Sequence, residues 1–185
     1  VFICSIVLIG FTRTYSIQSR LPFEERLIFG VVLGVIEVSI LGFLLSWAFS
    51  VSRTTIFMTV GILLTVNSIF ALRRRSVLIA DYESLLIRCK RKWNDPLSPK
   101  VPIFLLVSSN LLTTRIMQIA YDGTDSGGVA VSHLSVYGDW SAHLAYAASF
   151  AYSDNFPPEL PTAAGESFSY HFGIDWFSAM FVPLG

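Results

Sequence analysis

Between Leu27 and Phe49 the sequence carries a single charged side chain, Glu37, in an otherwise apolar run. A helix needs about 20 such residues to cross the hydrocarbon core of a bilayer. Residues 54–72 repeat the pattern with no charge at all, and residues 101–119 repeat it with Asn110, Arg115 and Gln118 as interruptions. Residues 1–11 read as the cut end of another such helix, and a fifth is expected to begin near Gly173. The first and last residues fall inside apolar stretches, with neither an initiating Met nor a basic segment ahead of the first run. This predicts a piece of a longer protein rather than a signal peptide. Backbone groups in hydrocarbon must bond within their own segment, so helices are the expected form. The predicted fold class is all-α: a polytopic membrane helix bundle.

Composition agrees. Apolar residues make up 53% of the chain and charged residues 14%, too little charge to cover a water-soluble surface of this size. The net charge is zero, but it is unevenly spread. Residues 73–100 hold eight of the thirteen lysines and arginines, against Asp81, Glu83 and Asp95. The positive-inside rule places this segment in the cytoplasm. The turn at 51–53 then lies outside, and residues 12–26, with Arg13, Arg20 and Arg26, lie inside. Because the basic cluster sits between apolar runs, topology accounts for it and no nucleic-acid partner is expected. Cys4 and Cys89 fall on segments that this topology keeps apart, so no disulfide is expected between them.

Beyond Arg115 there is no lysine or arginine, but there are seven acids: Asp122, Asp125, Asp139, Asp154, Glu159, Glu166 and Asp175. This predicts an outer or lumenal loop over about residues 120–172, too long to serve only as a connector. Residues 121–129 carry turn chemistry around Asp-Gly-Thr-Asp-Ser-Gly-Gly. Residues 138–152 read as an amphipathic helix lying in the interface, with Trp140, Leu144, Ala147 and Ala151 on its apolar face. Residues 155–161 hold three prolines, which exclude helix and predict a stiff extended loop.

Asp139 and His143 are four apart on the expected helix and so share a face. A carboxylate and an imidazole so placed can divide proton work or hold a metal ion together; alternatively, Asp139 caps the helix. His171, beside Tyr170, leads into the next apolar stretch. With His133 and His143 it gives three histidines in the outer segment, a pattern compatible with metal or phosphate binding as well as with ordinary surface histidines. Arg115, near the outer end of its helix, is either a snorkelling anchor or a cation for a lipid phosphate. Glu37, mid-span and with no partner visible in the sequence, is a functional candidate.

Taken together, Gly138-Asp139-Trp-Ser-Ala-His143, Asp154-Asn-Phe-Pro-Pro158, Pro161, Ala164-Gly165, Tyr170-His171-Phe172 and the closing Phe177-Ser-Ala179…Leu184-Gly185 resemble the first outer loop of GT-C glycosyltransferases. These are the lipid-phosphate-sugar enzymes that include protein mannosyltransferases and aminoarabinose transferases. The resemblance covers about a quarter of the chain, residues 138–185. It implies that Asp139 is the catalytic acid residue that deprotonates or orients the acceptor. It further implies a polyprenyl-phosphate sugar donor and a lipid, glycan or protein acceptor at the outer face. His143, His171, Tyr170, Arg115, Asp154 and Glu166 are then candidates for holding substrate or phosphate, His143 and His171 with a divalent metal ion. The pattern departs from the family at three points. Trp140 stands where a second acid is common, Tyr170-His171 stands near an acid–lysine position, and several helices precede the loop. On this reading residues 1–100 are the N-terminal membrane helices with their cytoplasmic loop, and residues 101–185 begin the transferase core. A non-catalytic transporter or a polysaccharide-assembly subunit is the alternative.

Overall fold

The computed structural model describes residues 1–17, 21–93, 100–123, 129–131, 139–163, 165–169 and 171–185. The long elements are all helices: α1 (Phe2–Thr14), α2 (Phe23–Phe49), α3 (Arg53–Arg73), α4 (Arg75–Trp93), α5 (Lys100–Ala120), α6 (Trp140–Ser153) and the short α7 (Gly173–Ala179). A three-residue antiparallel ladder, β1 (Tyr121–Gly123) with β2 (Val129–Val131), flanks the glycine-rich turn sequence, with Asp122 opposite Ala130. The chain forms two compact units, Val1–Glu83 with Ala145–Gly185, and Ser84–Leu144.

In the first unit, α2 buries every fourth residue: Arg26, Gly30, Gly34, Val38, Gly42 and Ser46. A spacing of four drifts slowly around a helix of 3.6 residues per turn, so these residues form one long stripe. Most of them are small, and α1 lies on the stripe backbone to backbone. A Cβ on Gly34 would overlap the Ile6 carbonyl, one on Gly10 would overlap the Gly30 carbonyl, and one on Gly30 would come within 2.7 Å of the Phe11 nitrogen. α3 adds Thr55, Ile56, Thr59, Val60 and Asn67 to the buried set. The large aliphatic side chains point the other way: Ile28 is 68% exposed, Ile40 58% and Leu44 57%.

A water-soluble core helix would bury those residues. Here only 22% of the most apolar stretch of α2 and 28% of that of α3 is buried. Small residues inside and large apolar residues outside is the arrangement that lipid favours, because hydrocarbon already solvates leucine and isoleucine while close backbone contact drives association. α2 and α3 are long and apolar enough to cross a membrane. Two hydroxyls of α3 bond back into their own helix, Thr59 to the Thr55 carbonyl at 2.9 Å and Thr65 to the Gly61 carbonyl at 2.8 Å. α1, the central part of α5 and the stretch from α7 onward are apolar but shorter.

Each end of this bundle is closed by polar contacts. At one end the buried Arg26 pairs with Asp81 of α4 (3.0 Å), donates to the Thr14 carbonyl (2.8 Å) and lies 4.5 Å over the Tyr15 ring. Burial, together with the Asp81 carboxylate, pushes the Tyr15 hydroxyl up to about 12. At the other end Ser52 caps α3 by accepting from the Thr55 N–H at 3.1 Å, and Arg53 donates to the Leu184 carbonyl at 3.0 Å. Above this second end, the later turns of α6, the proline loop and α7 form an aromatic cap. Phe150 is fully buried and Trp176 nearly so, and both rings stand edge-on to one another at 5.7 Å. Phe43 of α2 joins them at 5.6 Å from Trp176, whose indole N–H donates to the Ser39 carbonyl at 2.9 Å.

Three expectations are revised. Residues 73–100 are largely helix: α4 follows α3 with only Arg74 between them. The buried face of α6 centres on Phe150 with Ala147 and Ala151 packed beside it, while Leu144 is 51% exposed. The stretch from Gly173 is a seven-residue helix followed by a 3₁₀ turn, and it buries Trp176, Ala179 and Met180.

Candidate functional site

Asp139 stands in the turn immediately before α6, and its carbonyl accepts the first helical bond from the His143 N–H at 3.0 Å. That is the N-cap position, the alternative offered for Asp139 in the sequence; the helix itself begins at Trp140 rather than at residue 138. Asp139 is exposed and His143 half-buried, one turn apart at the start of the helix. An exposed carboxylate here is available to a hydroxyl approaching from solvent or from an interface. Both residues belong to the second unit, as does Arg115, which is exposed on α5.

The remaining candidates lie in the first unit, where the proline loop is built as a bracket. The Asn155 side chain donates to the Glu159 carbonyl (2.7 Å) and the Ser149 hydroxyl (3.2 Å), and accepts from the Glu159 N–H (2.8 Å). The Glu159 carboxylate in turn accepts from the Gly165 N–H at 3.0 Å. Phe168 is buried under the loop, edge-on to Tyr146 at 4.8 Å. Glu166 and His171 are exposed. Asp154 serves the structure, because its carboxylate accepts from the Val51 N–H at 3.1 Å and ties the end of α6 to the turn between α2 and α3. Tyr170 and His133 lie outside the described residues. Among the described residues no three His, Cys, Asp or Glu side chains converge on a metal-sized site; Asp139 and His143 supply two donors.

Glu37 stands out in the sequence, but its partners do not. Arg13, in the last turn of α1, reaches back along its own helix, as helical side chains do. Its Nε meets Glu37 Oε1 at 2.8 Å, and its guanidinium lies 5.6 Å from the Phe70 ring centre. Asn67 of α3 donates to the other carboxylate oxygen at 3.0 Å. Three helices are thus joined by one charge-assisted cluster inside the apolar bundle. The sequence signal was present, since an acid, a cation and an amide each interrupt an apolar helix, but only the packing shows that they meet.

Comparison with family models, with curated proteins and with solved structures found no match for this chain.

Proposed function

We propose that this chain is part of an integral membrane glycosyltransferase of the GT-C type, moving a sugar from a polyprenyl-phosphate donor to a lipid, glycan or protein acceptor at the outer face. The reading rests on the outer-loop motif order and on one geometric observation: an exposed carboxylate one helical turn from an imidazole, at the start of α6. In the proposed reaction Asp139 takes the proton of the acceptor hydroxyl as that oxygen attacks the anomeric carbon. The bond from that carbon to the phosphate oxygen breaks, and the lipid phosphate leaves with the electron pair. His143, one turn on, orients the carboxylate or passes the proton onward. The acidic segment offers no lysine or arginine for the leaving phosphate. That charge falls to Arg115, to His143 or to a divalent ion.

Asp139→Asn preserves size and capping ability but removes the proton acceptor. In the full-length protein, transfer from a labelled polyprenyl-phosphate sugar is expected to fall about 100-fold or more, the scale of a lost general base. Asp125→Asn should leave transfer near wild type. Wild-type transfer by Asp139→Asn at matched expression would refute the assignment.

The Arg13–Glu37–Asn67 cluster favours a second reading, a transporter with its coupling site among the helices. On that reading Glu37→Gln abolishes uptake of the cargo, while no sugar transfer is found in the wild type.

A further inference from the structure

Where α3 ends, Arg73, Arg74 and Arg75 follow one another, all three exposed, and their guanidinium groups enter no ion pair among the described residues. α4 begins at the third of them. We infer that this junction and the first two turns of α4 dock on anionic phospholipids of the adjoining leaflet. The arginines take the phosphates, and the row Leu78, Ile79 and Tyr82 lies against the upper acyl chains.

Depth selects lipid as the occupant. α3 has 21 residues, about 31 Å at 1.5 Å per residue, which matches the ~30 Å hydrocarbon core of a bilayer. Arg73, its last residue, therefore stands at the edge of that core. The bond from Asn67 to Glu37 brings α2 and α3 to a common level. From that level Arg73 is six residues on along α3, about 9 Å. Arg26 is eleven residues back along α2, about 16 Å. Arg26 thus reaches about 7 Å beyond Arg73, and its ion pair with Asp81 at 3.0 Å holds the start of α4 near that depth. The headgroup layer is itself about 5–8 Å deep on each side.

Charge and pattern select the kind of lipid. Of the carboxylates at this end, Asp81 is taken by Arg26. Glu24, Glu25 and Glu83 are exposed and pair with none of the three arginines. The guanidinium fork matches a phosphate bidentately, and basic residues directly beside a span draw anionic lipid toward it. Arg75, Leu78, Ile79 and Tyr82 are spaced i, i+3, i+4, i+7 and so share one face of α4. Asp81, which ties the helix to the bundle, lies about 100° around from Tyr82. The row is left uncovered, with Ile79 53% and Tyr82 52% exposed and Leu78 half-buried. An apolar row headed by arginine is the form of a helix lying in the interface, and tyrosine is favoured at that level. The inference requires α2 and α3 to be membrane-embedded. It depends neither on sugar transfer nor on which side of the membrane α4 occupies.

The test uses the full chain in phosphatidylcholine nanodiscs, with Cys4 and Cys89 replaced by serine and a fluorophore on Ser76→Cys. A small fraction of headgroup-spin-labelled lipid is added as quencher, either phosphatidylglycerol or phosphatidylcholine. The anionic quencher is expected to act at least about twofold more strongly than the zwitterionic one. In about 1 M salt, where charges are screened beyond about 3 Å, the preference should vanish. Replacing Arg73, Arg74 and Arg75 together by glutamine should abolish it, and Arg53→Gln, at the other end of α3, should leave it unaltered. Equal quenching by the two lipids would overturn the assignment. So would no quenching by either, a preference that persists in high salt, or one that survives loss of the three arginines. If the triple variant fails to insert, the lipid and salt comparisons with the arginines in place still decide.

Discussion

Within the first unit, the α1–α3 bundle and the aromatic cap solve the packing problem in opposite ways. The bundle buries glycine, serine and threonine beside Ile6, Ile9, Val38, Ile56 and Val60, and leaves most of its large aliphatic side chains, such as Ile28, Ile40 and Leu44, outside. The cap puts Phe150, Phe168 and Trp176 inside and leaves Glu159, Glu166, Ser169 and His171 outside. The first arrangement gains little from removing apolar surface from water and relies on backbone contact. The second is an ordinary hydrophobic core. The two meet along the second half of α2, where Trp176 bonds to the Ser39 carbonyl and stands against Phe43, and Asp154 ties the cap to Val51.

Substitutions can break that contrast. The largest effect is expected at Phe150, a fully buried ring touching Phe156, Phe172 and Trp176. Phe150→Ala should cost about 3–5 kcal/mol, as large-to-small changes in aqueous cores do. Proteolysis of the proline loop would report local opening of the cap, and an unaltered cleavage rate would remove the case for an aqueous-type core. In the bundle the sign reverses, because there adding atoms does the damage. Gly34→Ala drives a methyl into the Ile6 carbonyl and should cost about 1–3 kcal/mol. Gly61→Ala, with nothing within 4 Å of the added carbon, should instead stabilise by up to about 1 kcal/mol. Thermal unfolding in detergent measures both. Equal shifts at the two glycines would show that the backbones of α1 and α2 do not meet.

A smaller effect is expected at the end of the bundle that carries Arg26. The Tyr15 hydroxyl titrates at about 12 in the folded chain and near 10 when unfolded. The fold therefore favours the neutral phenol. That contribution is complete below about pH 10 and is lost as pH rises from about 10 to about 12. Tyr15→Phe should flatten the fall in stability over that window, and an unaltered profile would show that the Tyr15 hydroxyl is not buried beside Asp81.

Much of the bundle was legible in the sequence, because length and apolarity alone specify α2 and α3. The start of α6 was legible too, since Asp139 precedes an uninterrupted helical run. What the sequence concealed depends on contact between distant segments. The partners of Glu37 come from α1 and α3, 24 residues before it and 30 after. The inner face of α6 was misjudged because Trp140, Leu144, Ala147 and Ala151 form an apolar row of their own; the ring of Phe150, beside that row, takes the deepest position. Residues 73–100 concealed α4 because their charge suggests a solvated loop, while Asp81 fastens that helix to Arg26. The bond from the Val51 N–H to Asp154, 103 residues apart, was likewise hidden in the sequence.

The claim on which the rest stands is that α2 and α3 cross a bilayer and place the acidic segment opposite the basic helix α4. Single cysteines at Ser84 and Thr162, with Cys4 and Cys89 replaced by serine, test it in sealed vesicles whose outer surface is that of the cell exterior. A membrane-impermeant thiol reagent should label Thr162→Cys at once and Ser84→Cys only after permeabilisation. Immediate labelling of both, or labelling of Ser84→Cys alone, would contradict the account.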